Sequence, residues 1–467
     1  MNQPGNPTHL QCISPVDGSV YVERELADPV TITQSIELSR SAQKQWQQTS
    51  IDERARICEA AIQYFEEKQT QIAEEIAWQM GRPIAFAGGE VNGLAERARH
   101  MIASAEQSLA DIVPAKQEGF NRFIRRQPLG TVFTIAPWNY PLLTAVNSIV
   151  PALMAGNSVI LKPSAQVPLC GEHFTQAFEA TGIPEGVIQN LFLSHADTEK
   201  IIGSRELDFV CFTGSVPAGQ RIEQAAAGTF VGVSLELGGK DPAYVREDAD
   251  FDSSVESLVD GAFFNSGQSC CGIERIYVHE TLFDKFVEAY VEQVKQYVLA
   301  SPLEKQTTLG PVVKNSAADW VRKQVAAAID AGATPCIDPS HFPNATDDTT
   351  YLAPQVLIDV NHKMSVMSEE SFGPVVGIMP VSNDEEAVGL MNDSDLGLTA
   401  SLWTQNESLT EQLGERLQCG TVFMNRCDYL DPALVWTGVK NTGRGAALSE
   451  LGYHQLTQTK SFHLKNA

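Results

Sequence analysis

Between Gly130 and Leu235 the chain alternates short apolar runs with amphipathic ones, and this alternation constrains the fold more than any other feature. The pattern predicts strands at Thr131–Ala136, Ser158–Leu161, Val187–Leu191, Asp208–Phe212 and Phe230–Leu235. Helices are predicted between them at Leu142–Met154, Pro168–Ala180, Asp197–Gly203 and Pro217–Ala226. Repeated strand–helix units build a parallel sheet covered by helices, with ligands bound at the C-terminal ends of the strands. A second α/β series runs from Lys240 to about Asn425. Ahead of the alternation lie a hairpin over Ile13–Val22 with Asp17-Gly18 at its turn and helices Ile32–Gln47, Asp52–Met80 and Val91–Ala110. Phe120–Gln127 alternates apolar and charged residues, as a strand wet on one face does, and reads as an edge hairpin or an intersubunit arm. Asp338–Thr350, rich in Pro, Asp and Thr, reads as a surface loop.

A chain of 467 residues has room for two or three domains. Its formal charge of −25 argues against a nucleic-acid partner, which calls for a basic face, and disfavours anionic membranes. Met1–Pro7 lacks the basic-then-apolar pattern of a signal peptide, and the apolar run Val146–Ile160 is interrupted by Asn147, Pro151 and Gly156. The nine cysteines follow no disulfide or metal-site spacing, so no metal is expected and a reduced cytoplasm is the simplest location.

Chemistry concentrates in Phe263-Phe264-Asn265-Ser266-Gly267-Gln268-Ser269-Cys270-Cys271-Gly272. A helical run from Val255 to Phe264 ends in small polar residues, and two thiols follow before a strand begins at Arg275. A cysteine on such a turn can face a cavity with free backbone N–H groups beside it, as a thiol nucleophile requires. A buried cysteine packing as a small hydrophobe fits the same pattern.

Other pieces stand at strand ends. Lys162-Pro163-Ser164 follows one strand, and Thr213-Gly214-Ser215 follows another and opens a helix, where Ser215 can act as the cap and free N–H groups can face a phosphate. No GxGxxG is present. Asn139, between Pro137 and Pro141, can donate to an oxyanion or satisfy its own loop. Glu236 sits between two leucines, where its pKa should rise into the range of a general base; a strand-end ion pair is the alternative.

Taken together, PWNYP, LKPS, FTGS, LELGGK, FFNSGQSCCGIER, EESFGP (Glu369–Pro374) and Gly420–Asn425 resemble the aldehyde dehydrogenase superfamily, in its order and over nearly the whole chain. The resemblance implies an α/β fold of a Rossmann-like dinucleotide-binding domain (1–111 and 130–239), an α/β catalytic domain (240–450) and a small β oligomerisation arm (112–129 and 451–467). It implies Cys270 as nucleophile, Glu236 as base and Asn139 as oxyanion donor. For the cofactor it implies Lys162, Ser164, Ala165, Gly214, Ser215, Gly238, Trp138, Glu370 and Phe372. The implied reaction oxidises an aldehyde to the acid through a cysteine thioester that Glu236-activated water hydrolyses. The alternatives are a CoA-acylating dehydrogenase and a catalytically silent nucleotide-binding protein.

The chain also departs from its relatives. Ala165 stands where many NAD-using members carry a glutamate, so NAD is expected with NADP tolerated. Asn147 replaces a frequent aromatic at the substrate entrance, and Trp436–Lys440 diverges from the commoner Phe-Gly-Gly-x-Lys. Asp428 and Asp431 with Tyr429 would suit a cationic aminoaldehyde, whereas Arg426 would suit a carboxylated semialdehyde. The resemblance implies a homodimer or homotetramer.

Overall fold

The computed structural model describes residues 8–466; the signal-peptide expectation on Met1–Pro7 lies outside them. Two twisted sheets carry the fold. The first orders its strands Gly443–Arg444, Gly232–Glu236, Phe209–Thr213, Thr131–Ile135, Ser158–Lys162 and Ile188–Asn190. All pair in parallel except the edge strand Gly443–Arg444, which runs antiparallel to Leu235–Glu236. Successive residues of its central strands enter opposite cores. Val132, Val159, Leu161 and Cys211 join one, while Phe133, Ile135, Ile160, Val210 and Phe212 join the other. Both faces are therefore covered, and the strands read as unbroken apolar runs.

Register then does the positioning. Ile135 stands opposite Lys162 on one side and Phe212 on the other, and Thr213 stands opposite Glu236. The last residues of four neighbouring strands thus form one edge. The chain leaves the central strand Thr131–Ile135 in both directions, which opens a crevice at that edge.

The second sheet orders its strands Thr334–Pro335, Gln355–Ile358, Val375–Val381, Ile273–His279, Asp241–Val245, Thr399–Trp403 and Thr421–Met424, antiparallel only at Thr334–Pro335. A separate ribbon pairs Phe120–Pro128 with Thr457–Lys465 from end to end. Among the described residues no helix is long and apolar enough to cross a membrane.

Two sequence readings change in extent. The hairpin strands, His9–Ile13 and Val20–Glu25, reach beyond the expected span at both ends, and Gly18 does turn with φ +77°. The long helix is two, Ile51–Glu67 and Gln69–Met80, broken at Lys68. Glu66 through Gln71 contribute no apolar side chain to a core, so no packing holds that stretch straight. The expected surface loop Asp338–Thr350 is exposed along most of its length, held by the buried Phe342 and by Asn344, which donates to the Leu299 carbonyl at 2.8 Å.

Candidate active site

Helix Phe251–Phe263, capped by Asp250, delivers the chain to three consecutive left-handed residues: Asn265 (φ +53°), Ser266 (φ +57°) and Gly267 (φ +70°). Non-glycine residues there cost about 1–3 kcal/mol each, so surrounding contacts must impose the turn. Those contacts are dense. Asn265 accepts from Arg82 Nε at 3.0 Å and donates to the Asn139 and Gln268 carbonyls; Ser266 donates to the Gly310 carbonyl at 2.8 Å. Gln268 accepts from Val313 N at 2.7 Å. Arg82 in turn pairs with the fully buried Glu90 at 2.6 Å and donates to the Asn139 carbonyl at 2.6 Å. Glu90 spans to Leu142 N and Leu143 N, fixing the start of helix Pro141–Met154. One ion pair thereby ties the thiol turn to the Asn139 loop.

Beyond the turn, Cys270 is half-buried and Cys271 is buried. Two cavities meet there. One, of about 460 Å³, is lined by Trp138, Lys162, Ser164, Ser215, Glu370 and Phe372, among others. The second, of about 270 Å³, is lined by Arg97, Tyr140, Leu143, Asn147, Asp428 and Trp436, among others. Thr213, Glu236, Leu237 and Cys270 belong to both walls.

Glu236 makes no ion pair among the described residues; its carboxylate accepts only from Thr213 Oγ1 at 3.3 Å. By area it is half-buried because it borders the cavities, yet protein surrounds it, and burial pushes its pKa up to about 7. Asn139 does satisfy its loop, donating Nδ2 to the Gln268 carbonyl at 3.2 Å. An amide nitrogen carries two hydrogens, so one is left uncommitted on a side chain that lines the larger cavity. Among the described residues the Cys270 N–H has no hydrogen-bond acceptor.

The larger cavity suits a dinucleotide. Buried Lys162 lies 3.3 Å from the Pro163 carbonyl and has no carboxylate partner among the described residues, and burial lowers its pKa to about 8. Ser215 is the N-cap residue of helix Val216–Ala226, but its hydroxyl makes no cap bond, so the first-turn N–H groups remain available to an anion. A Cβ on Gly238 would lie 2.2 Å from the Glu370 carboxylate, and Trp138 meets Phe372 edge-on at 5.6 Å. Glu370 accepts from Gly239 N at 3.0 Å; burial, with Glu274 nearby, raises its pKa to about 8. Gly214 lines the same wall. Ala165 is exposed and lies off this wall.

On the substrate side the structure redistributes the expected charges. Asp428 reaches the smaller cavity, but its Oδ1 accepts from Ser269 Oγ at 2.6 Å and Cys271 Sγ at 3.1 Å. Cys271 is thus a buried donor to a carboxylate. Arg426 stacks over Tyr429 at 3.4 Å and faces an outer hollow, and Asp431 lies on neither wall. Sequence reasoning missed Arg82, Glu90 and Arg97. A signal existed: Arg97 interrupts the buried stripe Leu94, Ala98, Met101 and Ala105 of helix Gly89–Ser108.

The model of the aldehyde dehydrogenase family matches residues 2–462. An aldehyde dehydrogenase of Paenarthrobacter nicotinovorans is 32% identical over 455 residues, covering 97% of this chain and 99% of the relative. Succinate-semialdehyde dehydrogenase [NADP(+)] of Mycobacterium avium is 33% identical, covering 88% and 87%. The structure of NADP-dependent glyceraldehyde-3-phosphate dehydrogenase from Bacillus halodurans, complexed with NADP, superposes with a TM-score of 0.92 at 31% identity, covering 98% and 96%.

Proposed function

Because the chain belongs to the aldehyde dehydrogenase family, we propose that it oxidises a small polar aldehyde to the carboxylic acid through an acyl-Cys270 thioester, using NAD or NADP. The observation that carries this reading is the shared wall: Cys270 and Glu236 border both the cavity suited to a dinucleotide and the smaller one beside it.

The Cys270 thiolate attacks the aldehyde carbon, and the carbonyl electron pair moves to oxygen. The Asn139 amide and the Cys270 N–H are the donors for that oxyanion, preorganised by the Arg82 and Gln268 contacts. A bound nicotinamide supplies the hydride acceptor. Lys162, the open start of helix Val216–Ala226 and Glu370 would hold the dinucleotide, with Trp138 and Phe372 on the same wall. Glu236, with a pKa of about 7, removes a proton from water as that water attacks the thioester. The acid leaves, and the Cys270 thiolate returns.

A substrate cavity of about 270 Å³ favours short aldehydes. The named substrates of two relatives, succinate semialdehyde and glyceraldehyde 3-phosphate, are short and polar, which supports the same class here. NADP use by both supports tolerance of the 2′-phosphate beside Ala165.

Purified protein incubated with short aldehydes and either cofactor should form reduced cofactor, and Cys270→Ser should abolish it. Absence of turnover with every aldehyde and both cofactors would sink the proposal. Glu236→Gln should release about one equivalent of reduced cofactor per site and then stall. Steady turnover of that variant on adding CoA would instead favour acyl transfer to CoA.

A further inference from the structure

The smaller cavity contains a cation that, among the described residues, no carboxylate pairs with directly. Arg97 is only 8% exposed, and among the described residues it forms no ion pair. One nitrogen, Nη1, donates to the Leu143 carbonyl at 2.7 Å and lies 3.4 Å from Asn147 Oδ1. Nε and Nη2 reach no protein acceptor among the described residues. A buried guanidinium with uncommitted donors is costly unless something completes it.

Asn147 gives a second, independent observation. It is 4% exposed and lines the same cavity, yet its Nδ2 finds no hydrogen-bond partner. Two neighbouring side chains on this cavity's wall, from helices Gly89–Ser108 and Pro141–Met154, thus hold donors without acceptors. Of the acidic groups of this cavity, Glu236 accepts from Thr213 Oγ1 and feels the Arg97 charge without pairing with it. Glu96 and Asp260 are exposed at its rim, Glu96 accepts from Tyr429 Oη at 3.3 Å, and Asp428 Oδ1 is taken by Ser269 and Cys271.

Resting on the dehydrogenase reading above, we propose that Arg97 and Asn147 form the receptor for a carboxylate on the substrate, so that the enzyme selects short oxo-carboxylates over neutral or cationic aldehydes. A carboxylate offers two acceptor oxygens, which a guanidinium edge and an amide N–H engage together. The same pairing neutralises Arg97, the only Lys or Arg on this cavity's wall among the described residues, and the cavity volume of about 270 Å³ leaves room for a chain of a few carbons. Arg97 is a binding residue in this scheme, and bond making stays with Cys270 and Glu236.

The test compares kcat/KM for 4-oxobutanoate, butanal and 3-aminopropanal in wild type, Arg97→Met, Arg97→Lys and Asn147→Leu. In wild type 4-oxobutanoate should exceed butanal by about a hundredfold, the worth of one charge-assisted contact. That ratio should collapse towards one in Arg97→Met, fall partially in Asn147→Leu and largely persist in Arg97→Lys. A wild-type ratio near or below one, a preference for 3-aminopropanal, or equal losses for both substrates in Arg97→Met would overturn the proposal. A second readout needs no turnover and no variant. Succinate should slow alkylation of wild-type Cys270 by iodoacetamide, whereas butyramide at the same concentration should not. Equal protection by both, or by neither, would count against a carboxylate receptor. If no aldehyde is oxidised but succinate alone protects, the dehydrogenase reading fails while the receptor stands.

Discussion

Glu236 illustrates how one residue's surroundings set a rate. Burial raises its carboxyl to about 7, and the base form is the deprotonated one. Thioester hydrolysis should therefore rise with pH up to about 7 and level off above it, a profile that pre-formed acyl-enzyme followed by stopped-flow would report. A flat profile between pH 5.5 and 8 would assign the base elsewhere. Arg82 acts differently, since it touches the Glu90 carboxylate, the Asn265 side chain and the Asn139 carbonyl at once. Arg82→Met leaves Glu90 buried beside backbone N–H donors alone and should cost about 3–5 kcal/mol in denaturant titration. Arg97 shows where reading from sequence stops. Its place in an apolar helical stripe marks it as buried, but Leu143 and Asn147, which make its environment, lie in the next helix.

At the scale of elements, the left-handed run Asn265–Gly267 is the most demanding feature. A Cβ on Gly267 would stand 2.2 Å from the Gly373 carbonyl oxygen, on a backbone already at φ +70°. Gly267→Ala should lose at least about 2 kcal/mol and most activity, because the clash moves the segment carrying Phe372; unchanged melting and turnover would contradict this account. The strand–helix alternation was legible because the central strands bury both faces while the helices between them bury one, so unbroken apolar runs alternate with amphipathic ones. Strand ends were read within a residue or two, and the motif residues followed from them. The break at Lys68 was not legible, since Glu66–Gln71 is as helix-permissive in composition as its flanks. Nor was the uncapped Ser215 legible: a serine before a helix predicts a cap, and only the geometry shows its hydroxyl turned from the first-turn N–H groups. The side-chain traffic of Arg426, Asp428 and Asp431 escaped prediction for a related reason. Asp428 has φ +47°, and a left-handed residue redirects the side chains on either side of it.

For the whole molecule, charge is unevenly spread. The formal total is −25, yet the ribbon Phe120–Pro128 with Thr457–Lys465 carries Arg122, Arg125, Arg126, Lys460 and Lys465 and no acidic residue. A basic ribbon on an acidic body suits docking onto a second copy, as the proposed homo-oligomer requires. Removing residues 457–467 should yield monomers by analytical ultracentrifugation, and about 0.5 M salt should weaken the intact assembly by screening. An oligomer unaffected by the deletion would place assembly on another surface. The common wall of the two cavities has its own consequence. In the proposed reaction the dinucleotide and the aldehyde would therefore occupy separate hollows and meet only at the Cys270 and Glu236 wall.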